Sequence, residues 1–280
     1  MWSAPARPIN TEKNEVHGSM KSSEGKAFAY EKAQLIEVTC QLRFPAILSI
    51  DTNPPAEFQE TVRQAFPRYL CQEEKPRLPD GQVQTVRNHT FLTEDGVFKL
   101  NLTRDFIALS TMRYTCWEDF AHTLDEPLGQ FISLYRPAYF ERVGLRYVNG
   151  ISREKLGLTG RRWNDLFQPQ YLGVLDDDGV EESAVSKCAV DVQMKLDEQA
   201  GVKIHAGPGT IKRAIMTAEG LRTAQEQETR FIFDQDLFAV GHTRIQGVTE
   251  TLEMLHGHAD RLFSETITDT LHEAMEAVEL

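Results

Sequence analysis

Alternation of apolar and polar residues is the strongest pattern in this chain, and one alternating segment has a charged side. The apolar side of the predicted strand 141–150 consists of Val143, Leu145 and Tyr147. Arg142 and Arg146 fall on the other side, because successive residues of a strand point to opposite faces of a sheet. We therefore expect this segment at the boundary between the hydrophobic core and a polar surface.

The first half of the chain predicts the element order β-α-β-β-α-β. Alternation predicts strands over residues 35–44, 83–93, 97–109 and 141–150. One helix is predicted to begin at Asn53, which with the following proline is typical of a helix start, and to end at Pro67. A second helix is predicted from Thr115, which begins a capping-box pattern, to Tyr135. Residues 33–152 are therefore predicted to form a ferredoxin-like βαββαβ half.

The second half of the chain predicts further strands followed by helices. Strand patterns cover residues 184–196, 201–206, 210–216 and 229–238. Helical spacing begins at Thr249, and a final helix begins near Asp269. Residues 153–280 are therefore predicted to form an antiparallel β-meander with a long C-terminal helix that packs on the first half, which makes the fold class α+β. Residues 1–32 lack sustained periodicity, which predicts a mobile N-terminal arm.

Composition and charge exclude several classes of protein. The chain has 280 residues, of which 41% are hydrophobic and 26% are charged, so its core needs no disulfide or metal. The formal net charge of −12 disfavours general nucleic-acid binding, which depends on lysines and arginines that neutralise phosphates. No apolar run approaches the ~20 residues that span a bilayer. The four separate cysteines predict reduced thiols, so we expect a cytoplasmic protein that does not bind a membrane.

Several short stretches spread over residues 34–275 carry a resemblance to other proteins. They are Ile36-Glu37-Val38, Arg43-Phe44-Pro45, Phe66-Pro67-Arg68-Tyr69, the eight residues 142–149, Phe233-Asp234-Gln235-Asp236 and Ile267-Thr268-Asp269. Through them the chain resembles a sporadically distributed, uncharacterised bacterial protein family of about this length. The resemblance implies no catalytic residue, ligand or activity, since that family has none assigned. The patchy distribution of that family implies that the genes of its members are carried in mobile-element or defence gene clusters.

The two arginines are the first candidates for a binding site. In a ferredoxin-like sheet the last strand lies beside the first, so Arg142 and Arg146 are expected to share a face with Glu37, Gln41 and Arg43. Arginine forks on such a face are suited to phosphate or carboxylate groups, which predicts a ligand-binding surface. The alternative is a structural ion-pair network with the second half of the chain, and such networks often imitate functional sites.

Asp234 and Asp236 are the second candidates. On a strand both side chains point to one face, and paired carboxylates are a common way to hold Mg²⁺ or Mn²⁺. Neither a third acidic ligand nor a phosphate-binding glycine loop accompanies them, so partnership with Arg142 or Arg146 explains them equally well. His256 and His258, two positions apart on a predicted helix, cannot share one metal, which favours a solvated helix face.

These observations favour a non-enzymatic binding protein. We expect its polar sheet face to recognise a protein partner or a second copy of the chain, or else a small anionic ligand, and we predict no cofactor. The alternative is a metal-dependent enzyme that acts on a phosphate-bearing substrate through Asp234 and Asp236. A third hypothesis is a purely structural subunit of a larger complex.

Overall fold

The computed structural model describes residues 28–74, 86–217, 220–225 and 228–279. The strands are β1 (Phe28–Tyr30), β2 (Leu35–Arg43), β3 (Arg68–Glu74), β4 (Val86–Leu92), β5 (Phe98–Leu102), β6 (Phe106–Thr111), β7 (Phe140–Ile151), β8 (Val190–Lys195), β9 (Ala200–Gly209), β10 (Lys212–Thr217), β11 (Gly220–Gln225), β12 (Arg230–Thr243) and β13 (Ala277–Glu279). The α-helices are α1 (Leu48–Thr52), α2 (Ala56–Val62), α3 (Trp117–Tyr135), α4 (Val248–Thr266) and α5 (Asp269–Ala274).

Nine strands form one sheet in the order β3-β4-β5-β6-β2-β7-β12-β9-β8. Every neighbouring pair in this sheet is antiparallel. The strands β2, β7 and β12 lie at or near its centre and come from both halves of the chain. Helices and antiparallel strands therefore share one core, which confirms the α+β fold class.

The hydrophobic core lies on one side of this sheet. Val143, Leu145 and Tyr147 of β7 point to that side and are buried, as the alternation predicts. Helix α4 packs on β7 and β12, while α3 places Phe120 against Phe98 of β5 and Phe131 against Phe44. Each such side chain stabilises the fold by about 1.5–3 kcal/mol when it is removed from water.

The ferredoxin-like arrangement is not confirmed. Strand β7 does lie beside β2, as predicted, but the predicted strand 97–109 is divided by a turn. In this turn the hydroxyl of Thr103 donates to the Asp105 carboxylate at 2.8 Å, and the Thr103 amide donates to the carbonyl of Phe106 at 2.9 Å. The chain reverses there, so β6 pairs antiparallel with β2, where a split βαβ unit places a parallel neighbour.

Strands β1 and β3 of the first half lie outside the predicted strands. Strand β3 lies between the predicted helix end at Pro67 and the predicted strand 83–93, where no element was predicted, and it extends the sheet beyond β4. Strand β1, inside the predicted mobile arm 1–32, pairs with β13, which corrects that prediction for residues 28–30. Residues 1–27 of the predicted arm and residues 83–85 of a predicted strand lie outside the described residues.

The second half follows its predicted elements with two added strands, β11 and β13. The predicted strands correspond to β8, β9, β10 and β12, and the predicted helices correspond to α4 and α5. Strand β13 pairs with β1, and β11 pairs, among the described residues, with β10 alone in a separate hairpin between β9 and β12. Within the described part of the chain no helix is long and apolar enough to cross a membrane.

Gly207 of β9 lies against the backbone that leads into β8. A Cβ atom there would overlap the carbonyl oxygen of Cys188 and lie 3.1 Å from the Cα atom of Ala189. Because both are backbone atoms, the start of β8 would have to move away from β9. We predict that Gly207→Ala lowers the free energy of unfolding by about 1–3 kcal/mol, measured by urea denaturation.

Gly257 of α4 provides the matched control. Nothing lies within 4 Å of a Cβ atom built at that position. Alanine is favoured over glycine inside a helix by about 1 kcal/mol, so Gly257→Ala is expected to raise the free energy of unfolding. Equal stability of Gly207→Ala and the wild-type protein would contradict the close approach of β9 to the β8 segment.

Candidate functional site

The side of the sheet that faces away from α3 and α4 carries the candidate residues. We call the outward side of strands β2, β7, β12, β9 and β8 the polar face. A groove of about 930 Å³ runs over it. The side chains that line this groove include Gln41, Arg43, Arg142, Arg146, Asp191, Gln193, Lys203, His205, Asp234, Asp236, Phe238 and Val240. Each of these positions alternates with a core position on its own strand.

Arg146 and Asp234 form a two-pronged ion pair across β7 and β12. The Arg146 Nε atom donates to Asp234 Oδ1 at 2.8 Å, and Nη2 donates to Oδ2 at 2.6 Å. These hydrogen bonds raise the pKa of Arg146 above its ordinary value. The backbone partner of Asp234 is Val148, so the ion pair runs diagonally between strands. Parallel N–H···O bonds of this kind combine charge attraction with a fixed orientation.

Arg142 and Asp236 form a second ion pair on the same two strands. The Arg142 Nη2 atom donates to Asp236 Oδ1 at 2.5 Å. Gly144 makes this contact possible, because a Cβ atom there would overlap the Arg142 guanidinium group. The Arg142 guanidinium also lies 5.3 Å from the centre of the Phe238 ring, which is within the range of a cation–π contact.

The remaining predicted ligand-binding residues lie on β2, beside the two arginines. Glu37 accepts a hydrogen bond from Thr39 at 3.2 Å. Gln41 lies opposite Gly144, and Arg43 lies opposite Arg142. Arg43 also approaches Asp105 at 3.7 Å, but both side chains of that pair are largely exposed. The structure therefore places all five predicted ligand-binding residues on the polar face with Asp234 and Asp236, and four of them, all but Glu37, line the groove.

The charges on the floor of the groove are largely matched. Each of the two arginines of β7 has its own carboxylate, and the pairs are Arg146 with Asp234 and Arg142 with Asp236. Lys203 of β9 lies opposite Asp236, with its ammonium group 5.9 Å from the Phe238 ring centre. A floor built this way has little excess positive charge with which to attract a free anion.

Both predicted metal ligands, Asp234 and Asp236, are engaged by arginine side chains. Asp234 offers both of its oxygens to Arg146, and Asp236 offers one to Arg142. A divalent cation would have to displace these guanidinium groups to reach the carboxylates. The described residues contain no group of three or more His, Cys, Asp or Glu side chains arranged to hold a metal ion.

A polar cluster on the core side was missed by the sequence analysis. The Tyr147 hydroxyl lies 3.0 Å from Nδ1 of His256, whose ring stacks on Trp117 at a centroid distance of 4.7 Å. Trp117 donates its indole N–H to Glu253 of α4 at 3.0 Å. Burial raises the pKa of Asp260, one helical turn after His256, although its electrostatic interaction with His256 opposes this rise. This cluster fixes α4 to the sheet.

The predicted solvated helix face is therefore wrong for both histidines. The side chains of His256 and His258 are only 19% and 14% exposed. His258 contacts Asp197 at 2.8 Å and Arg261 at 2.6 Å. One signal in the sequence indicates that Tyr147 needs a partner such as His256. Tyr147 falls on the apolar side of its strand, and a buried tyrosine hydroxyl needs a hydrogen-bond partner.

A second groove, of about 1110 Å³, lies away from the polar face. The Arg153 guanidinium stacks 3.9 Å from the Trp163 ring centre and contacts Glu182 at 2.9 Å. Glu182 also accepts the backbone N–H of Trp163 at 2.6 Å. Arg153 and Glu182 are thus engaged in holding the segment between β7 and β8.

Comparison with models of protein families finds no match to this chain. A search of curated proteins also finds no significant relative. The resemblance to the sporadic bacterial family therefore stays a prediction.

The Arg146–Asp234 ion pair predicts an energetic coupling that mutagenesis can measure. Because Arg146 is 45% exposed, we expect the coupling energy to be modest, about 0.5–1 kcal/mol. The measurement is a double-mutant cycle of Arg146→Ala and Asp234→Ala, with each free energy of unfolding taken from urea denaturation. The Arg63–Glu60 pair, with side chains 58% and 61% exposed, is the control and should show a smaller coupling. Zero coupling at Arg146–Asp234 would mean that the pair does not stabilise the sheet.

Cys40, on the core side of β2, predicts a pH dependence of stability. Burial raises the pKa of its thiol from 9.0 to about 12, and the positive charge of Arg142 opposes this only in part. At a pH below the pKa of the thiol in the unfolded chain, both the folded and the unfolded chain hold the proton. The buried thiol then makes its full contribution to stability. Between about pH 9 and about pH 12 only the unfolded chain loses the proton, so stability falls as the pH rises.

We predict that Cys40→Val removes this part of the pH dependence. The slope of the free energy of unfolding should become less negative by up to about 1.4 kcal/mol per pH unit above about pH 9. Urea denaturation at a series of alkaline pH values provides the measurement. The exposed Cys71 gives the matched control Cys71→Val, whose slope should stay closer to that of the wild-type protein than the slope of Cys40→Val does, although Cys71 contributes to the raised pKa of Tyr69. The same slope in all three proteins would contradict the burial of the Cys40 thiol.

Proposed function

We propose that this chain is a non-enzymatic, cytoplasmic binding protein that recognises a partner protein through its polar face. The observation that carries the proposal is the groove of about 930 Å³ over Gln41, Arg142 and Arg146. An antiparallel sheet can leave one face in water without any function. A concave surface of this size on that face, lined by side chains from five strands, is what favours recognition.

Apolar side chains inside the groove support a protein as the partner. Phe238 lies half-buried beside Arg142, and Val240 is 63% exposed at the same surface. Protein interfaces are enriched in aromatic residues and arginine, and their strongest contacts often come from such side chains. Phe238 with Arg142 is therefore the expected centre of the contact.

Charge balance favours a polypeptide over a small anion. Asp234 and Asp236 already neutralise the two arginines of β7. A phosphate would have to compete with these carboxylates, whereas a peptide segment can offer both donors and acceptors to the same floor. The small anionic ligand is therefore the weaker form of the hypothesis, and the structural-subunit hypothesis shares the same surface.

The alternative of a metal-dependent enzyme has less support. It needs Asp234 and Asp236 free to bind Mg²⁺ or Mn²⁺, and both accept hydrogen bonds from arginines. The enzyme hypothesis predicts that either metal raises the melting temperature of the wild-type protein but not that of Asp234→Ala. A melting temperature that does not respond to metal counts against it. The link to mobile-element or defence gene clusters rests on the family resemblance alone.

The test of the proposal places a large side chain in the groove. Gln41 lines the groove and lies opposite Gly144, so Gln41→Trp fills its floor without removing an ion pair. We expect native mass spectrometry of the wild-type protein, purified gently from its host, to show a stoichiometric partner protein. Gln41→Trp should lose most of that partner, by about tenfold or more, because an obstructed contact costs at least 1.4 kcal/mol.

The control carries the same substitution at Gln170, an exposed residue in a short helical turn away from the polar face. Gln170→Trp should retain the partner fully, and circular dichroism should show that both variants are folded. Retention of the partner by Gln41→Trp would place recognition elsewhere. A bound small anion in place of a protein would support the weaker form of the hypothesis.

A further inference from the structure

Strand β8 is an open edge of the nine-stranded sheet. Among the described residues it pairs with β9 on one side and with no strand on the other. An edge strand of an antiparallel sheet presents a row of backbone N–H and C=O groups that can pair with another strand. Strand addition of this kind is a common mode of protein association.

The side chains of β8 alternate strictly. Asp191, Gln193 and Lys195 are exposed and belong to the polar face. Val192 and Met194 are half-buried and pack against the core. A second strand that pairs with β8 would therefore need the same alternation. Its polar residues must lie opposite the polar residues of β8, and its apolar residues must lie opposite Val192 and Met194.

A second copy of β8 satisfies that requirement. In an antiparallel pair, opposite residues point to the same face, so a two-fold axis between two identical strands must pass through a residue position. With the axis at Gln193, Asp191 of each copy lies opposite Lys195 of the other. Val192 of each copy then lies opposite Met194 of the other. The sequence is thus complementary to itself in both charge and hydrophobicity.

Neighbouring registers lack this complementarity. With the axis at Val192, Asp191 faces Gln193, and no opposite charges meet within β8 itself (Val190–Lys195). With the axis at Met194, Gln193 faces Lys195, and again no opposite charges meet within β8. Asp191 then falls opposite Asp197, just beyond the strand, and like charges directly opposite one another are destabilising. Lys195 has no ion-pair partner within the described part of one chain and lies opposite Gly201, so it is available to a second copy.

We propose that the chain forms a symmetric dimer in which two β8 strands pair antiparallel with the axis at Gln193. The two sheets then become one continuous sheet, and the two polar faces lie side by side. Because Asp191 and Gln193 also line the groove, the two grooves meet at the dimer axis. The dimer does not depend on the partner protein proposed above, and its test needs only the purified chain.

Charge reversal tests the register. Asp191→Lys replaces two Asp–Lys pairs by two Lys–Lys contacts, and Lys195→Asp replaces them by two Asp–Asp contacts. Each single variant should weaken dimerisation by about tenfold or more, as measured by sedimentation equilibrium over a wide range of protein concentration. The double variant Asp191→Lys with Lys195→Asp should restore it, because the pairs are rebuilt in reverse.

The contact that Asp191 makes within its own chain needs a control. Asp191 also contacts His205 at 2.7 Å, so Asp191→Lys changes one contact within the chain. Lys195→Asp changes none of the described ion pairs, and rescue by the double variant cannot come from His205. Thermal unfolding of all three variants checks that each remains folded.

Cysteine cross-linking tests the axis directly. In a Cys71→Ser background, Gln193→Cys places one cysteine of each copy opposite the other, at a separation that an interchain disulfide can close after small adjustments. Oxidation should then give a covalent dimer. Lys195→Cys in the same background is the matched control and should not cross-link, because its opposite residue is Asp191.

Three results would overturn the proposal. The first is a chain that stays monomeric at every concentration, and the second is a dimer that neither charge reversal weakens. The third is a disulfide through the native Cys71 in the wild-type protein, which would place the contact at β3. That strand is the other edge of the sheet, and Leu70 on it is 53% exposed.

Discussion

The antiparallel ladder between β7 and β12 is the interaction on which the rest of the structure depends. It joins the two halves of the chain, which would otherwise form separate sheets. On its core side it places Leu145 opposite Leu237 and gives α4 a surface to pack on. On its outer side it brings Arg146 within reach of Asp234. One register therefore determines both the core and the ion-pair network.

The sequence predicted those features of the structure that depend on a single strand or helix. The period-two alternation of β7 correctly assigned Val143 and Leu145 to the core and Arg146 to the polar face, because the side on which a residue points depends only on its own strand. The helices α3 and α4 were predicted from a capping-box pattern and from helical spacing, which are also local features of the sequence. The turn at Thr103 was missed, since it interrupts an apolar pattern that otherwise runs through two strands, and the resulting reversal changed the sheet order.

The candidate site was predictable in its members but not in its pairings. Glu37, Gln41 and Arg43 do lie beside the two arginines, because the adjacency of β2 and β7 was anticipated. Which aspartate meets which arginine depends on the register between distant segments, and no local pattern contains that information. The contact between Tyr147 and His256 was missed for the same reason, since it joins a strand to a distant helix.

The central position of β7 has a consequence for how the chain folds. Strand β2 and strand β7 precede β12 in the sequence, so a partly folded chain can contain the first two without the third. In that intermediate β7 is an open edge, and edges of this kind pair readily with other chains. Arg142 and Arg146 are then unpaired charges on the exposed strand, where charged side chains oppose aggregation. We therefore expect the two residues to oppose aggregation of the nascent sheet before they pair with Asp234 and Asp236 in the finished one.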